Sequence, residues 1–214
     1  MKYEPQVPKG HYYEGYDYKG RWMNYWYQIQ EVLKTNPRTV LEVGIGNGTV
    51  SVYLKKRGIN VTTVDIDPDL MPDYVSSVTA LTQVCCGKVF DTVLCAEVLE
   101  HLKFEDFHEA LKQIRNVCGN WAVLTLPQQI ACVNLSVKLP LLNRFDLFIS
   151  TGYPSSSVRI SNEHYWEIGM KGYALKRVLE GLNQYFQVMS SYTILENYWS
   201  RLFLLRPKRS IDNL

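Results

Sequence analysis

The chain has 214 residues, 46% of them hydrophobic, which suits one domain with a full core and is too short for two substantial ones. Its 23 basic residues nearly cancel its 21 acidic ones, and no long basic block or repeated aromatic–basic pattern points to a nucleic-acid partner. No stretch of about 18 consecutive apolar residues suggests a membrane span, and Met1-Lys2-Tyr3-Glu4-Pro5 lacks the apolar core of a signal peptide, so a soluble, cytoplasmic protein is expected.

The first feature along the chain is a set of aromatic residues, His11, Tyr12, Tyr13, Tyr16 and Tyr18. From Trp22 the residues Trp22, Tyr25, Trp26, Ile29 and Leu33 step by three and four, which predicts an amphipathic helix with both tryptophans in the core, ended by Asn36-Pro37. The tyrosines before it have no helical period. Residues 1–37 therefore read as an aromatic lid and a helix, and residues 38–214 as the main domain.

Residues 40–48, Val-Leu-Glu-Val-Gly-Ile-Gly-Asn-Gly, are a hydrophobic run breaking into three alternating glycines before a helical pattern. That is how a strand, a tight turn and a helix look in sequence, with glycine where the backbone turns sharply against a ligand. The helix runs to about Arg57, with Gly58 as its C-cap. A second β-branched run ends in Asp65, which follows Gly46 at about 20 residues, the interval at which a carboxylate on the neighbouring strand meets a ribose. Asp67 reads as the cap of a short turn containing Pro68. Strands near residues 74–78 and 89–95 follow, the latter running into Ala96, Glu97 and His101. Phe107, Ala110, Leu111, Ile114 and Val117 mark a helix closed by Gly119, and Trp121 to Pro127 reads as a fifth strand. Alternating strands and helices imply a parallel sheet with right-handed crossovers, hence a doubly wound α/β fold.

After Pro127 the alternation stops, so residues 128–166 read as a loop insertion, which in a compact domain usually covers a site. A helix over residues 173–182 and strands near 186–194 and 201–205 complete the chain. The five cysteines form no C-x-x-C pair, and incidental or buried thiols are expected rather than a metal site.

Taken together, the glycine loop, the acid-ended second strand and the run Phe90 to Leu102 resemble class I S-adenosylmethionine-dependent methyltransferases, especially the small group related to quinone-biosynthesis methyltransferases. The resemblance implies a mostly parallel, seven-stranded, Rossmann-like sheet with helices on both faces and a final antiparallel pair. It also implies S-adenosyl-L-methionine as cofactor. Under it, the backbone of Gly44, Gly46 and Gly48, with Asn47, approaches the methionyl portion and ribose, and Glu42 takes the ammonium directly or through water. Asp65 takes the ribose hydroxyls and Ile66 packs on the adenine. Ser77 stands where relatives often carry an aspartate for the adenine amino group, next to Val78. Cys95, Ala96 and Glu97 occupy the end of the fourth strand, where backbone carbonyls receive the ammonium. Tyr18 and Arg21 are assigned to the lid, Arg21 from chemistry and position alone as a partner for the cofactor carboxylate.

Methyl transfer asks mainly for positioning, with a base where the acceptor starts protonated. Candidate bases are His101 and, within Asn162-Glu163-His164-Tyr165-Trp166, His164. The expected activity is O- or N-methylation of a small-molecule or sugar-like acceptor. Two alternatives are a non-catalytic binding or scaffold protein that keeps the fold, and a dinucleotide-dependent oxidoreductase. Glu42 and the G-x-G-x-G spacing speak against the latter.

Overall fold

The β-branched runs of the sequence become the middle of one sheet. A computed structural model describes residues 4–138, 145–152 and 163–208. Seven strands are ordered β3-β2-β1-β4-β5-β9-β8. These are β1 (Thr39–Val43), β2 (Asn60–Asp65), β3 (Tyr74–Val75), β4 (Phe90–Ala96), β5 (Cys118–Pro127), β8 (Phe186–Thr193) and β9 (Ser200–Pro207). The five strands from β1 to β5 run parallel, and β9 pairs antiparallel with both β5 and β8. The fold is thus doubly wound and Rossmann-like, with its order reversing between β1 and β4, where open α/β sheets bind ligands.

Both faces of the sheet are covered. On one face Leu41, Val43, Val93 and Cys95 pack against α4 (Phe104–Val117) and α5 (Leu175–Tyr185). The predicted stripe Phe107, Ala110, Leu111, Ile114 and Val117 is buried throughout. On the other face Val40, Val61 and Leu94 meet α1 (Lys19–Lys34) and α2 (Thr49–Lys56) through Ile29, Val32, Val50 and Leu54. Strand parity sends alternate residues to opposite faces, so Glu42 points toward the α1–α2 side and Cys95 away from it. A short α3 (Leu81–Val84) precedes β4. The crossover after β2 is a single 3-10 turn, Pro68–Leu70, and Asp67 caps it by accepting from the Asp69 amide at 2.9 Å.

Four features depart from the sequence reading. Trp22 and Trp26 are not in the core, being 51% and 49% exposed. Helix α1 instead turns Asn24, Gln28 and Glu31 inward, where Asn24 accepts from the Asn197 side chain at 3.1 Å and Glu31 from the Tyr192 hydroxyl at 2.9 Å. Hydrogen-bonded polar groups can dock a helix as firmly as an apolar stripe, and periodicity alone does not say which face is inside. Gly119 does not close α4. It lies within β5, where an added Cβ would come within 3.1 Å of the Phe90 carbonyl oxygen. The third strand stops at Val75, leaving Ser77 to cap the 3-10 turn Val78–Ala80. Finally, the insertion after Pro127 contains a hairpin of β6 (Ala131–Val137) and β7 (Phe145–Gly152) as a separate two-stranded sheet. Leu139-Pro140, Tyr153-Pro154, the serines at 155–157 and Asn162 lie outside the described residues. Among the described residues, no helix is long and apolar enough to cross a membrane.

Candidate active site

A cavity of about 470 Å³ opens at the C-terminal ends of β1, β2 and β4. Its base is the loop after β1. Gly44 has φ +79°, and a Cβ there would run into Cγ2 of Val98, so only glycine lets the loop pass that close to the turn after β4. At Gly46, φ +50°, a Cβ would lie 3.7 Å from the Tyr12 ring. Gly44, Gly46, Asn47, Asp65, Ile66, Ser77, Val78, Ala96 and Glu97 all line the cavity, as does Glu42. Gly48 and Cys95 do not line it. The Cys95 side chain is buried in the opposite face of the sheet, which pushes its thiol pKa up.

Glu42 and Asp65 give the base of the cavity its chemistry. Glu42 is 4% exposed and its Oε2 has no hydrogen-bond partner. Burial pushes its carboxyl up to about 8, against the opposing pull of Ser51 and Lys55. Asp65 is tied down at both oxygens. Oδ2 accepts from the Ile45 amide and Oδ1 from the Asp67 amide, each at 2.9 Å. Burial raises its pKa, and these amides oppose the rise. Each oxygen retains acceptor capacity toward the cavity. Ser77 spends its hydroxyl locally, accepting from the Thr79 amide at 3.2 Å and meeting the Thr79 hydroxyl at 2.9 Å.

The N-terminal segment covers this base. Tyr12 and Tyr16 stack edge to face at 5.3 Å, the Arg21 guanidinium lies 4.3 Å over the Tyr16 ring, and all three line the cavity with Tyr18 and Tyr25. Burial pushes the Tyr16 hydroxyl up to about 12 and raises that of Tyr12 further, so both remain protonated hydrogen-bond donors. Tyr18 is half exposed at the rim, whereas the Arg21 Nε is buried without a hydrogen-bond partner. Asp17 clamps the lid to the loop by accepting from the Asn47 side chain and the Tyr25 hydroxyl.

The turn after β4 brings together the two candidate bases. His101 and His164 meet edge to face at 4.8 Å. Three contacts hold their segments in register: the Tyr165 amide donates to the Glu100 carbonyl at 2.9 Å, buried Trp166 Nε1 donates to the Leu102 carbonyl at 3.1 Å, and His101 Nδ1 meets the Glu163 carbonyl at 3.0 Å. Gln6 of the lid also reaches His101 Nδ1, at 2.5 Å. Both groups around that nitrogen are acceptors, so it carries the proton and Nε2 has the lone pair. Burial, then the neighbouring His164, lowers the His101 pKa to about 4, which keeps it neutral. His164 Nδ1 lies 2.7 Å from Oε1 of Glu167, whose other oxygen accepts from the Gln129 side chain at 3.1 Å. A carboxylate accepts only, so this imidazole too presents Nε2 as its basic nitrogen.

Sequence reasoning passed over Glu100 and Gln6, and quoted Glu163 within the candidate cluster without giving it a role; all three line the cavity. Glu100 had a signal, as an acid inside the apolar run Val98 to Leu102. It is fully buried, and neither carboxyl oxygen has a hydrogen-bond partner. Burial, with the nearby Glu97, raises its pKa well above the usual carboxylate range. Glu97 sits at φ +54°, a strained position for a residue with a Cβ, and its Oε1 accepts from the Ser200 hydroxyl at 2.7 Å. From the long insertion, the described residues that reach the cavity are Glu163 and His164; the hairpin does not.

Known proteins agree with this architecture. Residues 22–155 match the family described as a methyltransferase domain. An uncharacterized methyltransferase of Staphylococcus carnosus is 26% identical over 107 residues, which cover 46% of this chain and 51% of that protein, so the match spans about half of the relative's length. The N-methyltransferase NodS of Bradyrhizobium japonicum, solved with S-adenosyl-L-homocysteine, is similar in fold with a TM-score of 0.61 at 11% identity, covering 90% of each chain. The 1,6-didemethyltoxoflavin-N1-methyltransferase of Burkholderia thailandensis has a TM-score of 0.58 at 14% identity, over 94% of this chain and 85% of its own. With its sheet order, its glycine loop and a family match across more than half its length, the chain belongs to the methyltransferase-domain family.

Proposed function

We propose that this protein moves the methyl group of S-adenosylmethionine to an oxygen or nitrogen of a small-molecule or sugar-like acceptor. The observation that carries the reading is convergence: Glu42 with an unpartnered oxygen, Asp65 with spare acceptor capacity on both oxygens, and the Gly44–Gly46 backbone all face one cavity.

These residues fit the cofactor. An orphaned, buried carboxyl oxygen calls for a donor, and the ligand ammonium is one. Asp65 suits a ribose diol, and Ile66 and Val78 offer apolar surface to an adenine. Ser77 leaves the adenine amino group less firmly held than an aspartate would, because its hydroxyl is already engaged. Bound there, the sulfonium supplies a methyl activated for in-line displacement. The protein's part is to hold acceptor and methyl in line and to exclude water, which Tyr12, Tyr16 and Arg21 do from above. The acceptor's reacting atom belongs beside His101 and His164, with Glu167 orienting the latter. His101, with its low pKa, is a weak base, which leaves His164, oriented by Glu167, as the second candidate for proton acceptor.

Calorimetry with S-adenosylhomocysteine tests the reading. One-site binding is expected, and absence of binding at about 1 mM ligand would sink it. An extract screen with isotope-labelled S-adenosylmethionine then separates an enzyme from a scaffold that binds without transferring.

A further inference from the structure

The surroundings of Glu100 pose a physical problem that methyl transfer does not solve. An acid with both oxygens buried and no hydrogen-bond donor is costly unless something pairs with it. Its Oε1 lies 4.0 Å from His101 Nε2, and one side-chain donor atom from each of Glu100, His101 and His164 lies within 4.8 Å of the other two. All three residues line the cavity.

The outer contacts of both imidazoles are those of metal ligands. His164 is held through Nδ1 by the Glu167 carboxylate, and His101 through Nδ1 by the Glu163 carbonyl. A carboxylate or backbone carbonyl on the far nitrogen is the usual support for a ligating histidine, because it fixes the tautomer and leaves Nε2 free to ligate. Glu167 is itself braced by Gln129.

From this we infer that Glu100, His101 and His164 bind one divalent transition-metal ion. Two imidazoles and one carboxylate suit Zn²⁺, Fe²⁺ or Co²⁺ better than Mg²⁺ or Ca²⁺, which prefer oxygen throughout. Donor atoms around such an ion sit roughly 3–3.5 Å apart, so the group must tighten by about an ångström at its widest. A shift of the partly exposed His101 side chain that keeps Nδ1 on the Glu163 carbonyl would close that gap. Three protein ligands leave open positions, and these face the cavity, where an acceptor carrying an oxygen donor could complete the coordination. The inference deepens the methyltransferase reading for the acceptor side. It gives the imidazoles the role of ligands rather than free bases.

Metal binding is measurable without turnover. The full chain, stripped with a chelator, is titrated with Co²⁺ while visible absorption is recorded, and Zn²⁺ displacement is followed by calorimetry. One equivalent of Co²⁺ with a visible ligand-field band, displaced by Zn²⁺ but not by equal Mg²⁺, is expected. Glu100→Gln and His164→Ala should each weaken Co²⁺ binding roughly tenfold or more, and Glu167→Gln, which keeps all three ligands, should weaken it by a similar factor. His108→Ala, on α4 beside α5 and away from the cavity, should leave Co²⁺ binding unchanged. Circular dichroism checks that each variant folds, and the remaining variants decide if one does not. No stoichiometric Co²⁺ binding, or equal affinity in all folded variants, overturns the site. S-adenosylhomocysteine binding is measured alongside: its loss in the wild type would strike the cofactor reading and leave the metal result to stand or fall separately.

Discussion

The side-chain amide of Asn47 donates to both carboxylate oxygens of Asp17, at 3.1 and 2.9 Å, and so fastens the N-terminal segment to the glycine loop. The same amide group lies 3.2 Å from the Tyr25 hydroxyl, and the Asn47 carbonyl oxygen accepts from the Thr49 amide at 3.1 Å. One residue thus joins lid, helix α1 and loop. Anything that orders the loop should order the lid with it.

Hydrogen exchange should register that coupling. With S-adenosylhomocysteine bound, residues 4–18 are expected to exchange more slowly together with residues 44–48, while the hairpin strands 131–137 and 145–152 stay unchanged. Protection confined to the glycine loop would show that the N-terminal segment is no lid. Protection in the hairpin would restore to it a role in covering the cavity.

Asp65→Ala should weaken S-adenosylhomocysteine binding by about 2–3 kcal/mol if the carboxylate takes the ribose hydroxyls. Because the same oxygens hold the Ile45 and Asp67 amides, a lower melting temperature is expected as well. Calorimetry and a thermal melt on one sample separate the two effects. Unchanged affinity in a folded variant would rule out the ribose contact.

Glu42 makes the ligand-free protein sensitive to pH in a definite direction. In the folded state its carboxyl keeps a proton up to about pH 8, whereas an unfolded glutamate releases it near 4.5. Between those values the folded chain binds more protons than the unfolded one, so this group removes stability as pH rises. Glu42→Gln, neutral throughout, should match the wild type near pH 4 and be more stable near pH 8 by an amount of order a few kcal/mol. Denaturant titrations across that range check it, and parallel curves for the two proteins would contradict it.

Glycine at position 44 does two things that can be measured apart. Gly44→Ala adds backbone strain at φ +79° and a collision with Val98. Gly58→Ala, at φ +83° with open space around it, adds strain alone. The second should cost about 1–2 kcal/mol of stability and leave ligand binding intact. The first should cost more and abolish S-adenosylhomocysteine binding. Equal losses in the two variants would mean that the close approach to Val98 has no role in shaping the loop.

The sheet was readable where burial was continuous. β1, β2, β4 and β5 are apolar runs because both faces of a parallel sheet are covered, and Asp65 and Asp67 announce their positions by interrupting such runs. What misled was orientation. Trp22 and Trp26 carry the helical period, yet the docked face of α1 sets Asn24, Gln28 and Glu31 beside Ile29 and Val32, with polar partners on β5, β8 and the turn before β9. The hairpin left a signal that was passed over: Val133-Asn134-Leu135-Ser136-Val137 alternates strictly, but it lies on a surface and looks weak beside the buried strands. Nor could spacing reveal that His101 and His164 meet. Their contact depends on Trp166, more than 60 positions along the chain, reaching the Leu102 carbonyl.

The order of the sheet also governs when the molecule can be finished. Among the described residues β9 is the last strand in sequence, yet it lies inside the sheet, with Leu205 opposite both Ala122 and Val188. Until it arrives, β5 presents an apolar open edge and β8 has no neighbour at all. During synthesis the cofactor end, built from β1 to β4 and their loops, can close on local connections. The other half waits for a closing piece that must slot between two strands already made. That interval is when this chain is most exposed to pairing with a second copy of itself, because unpaired strand edges are templates for any extended segment.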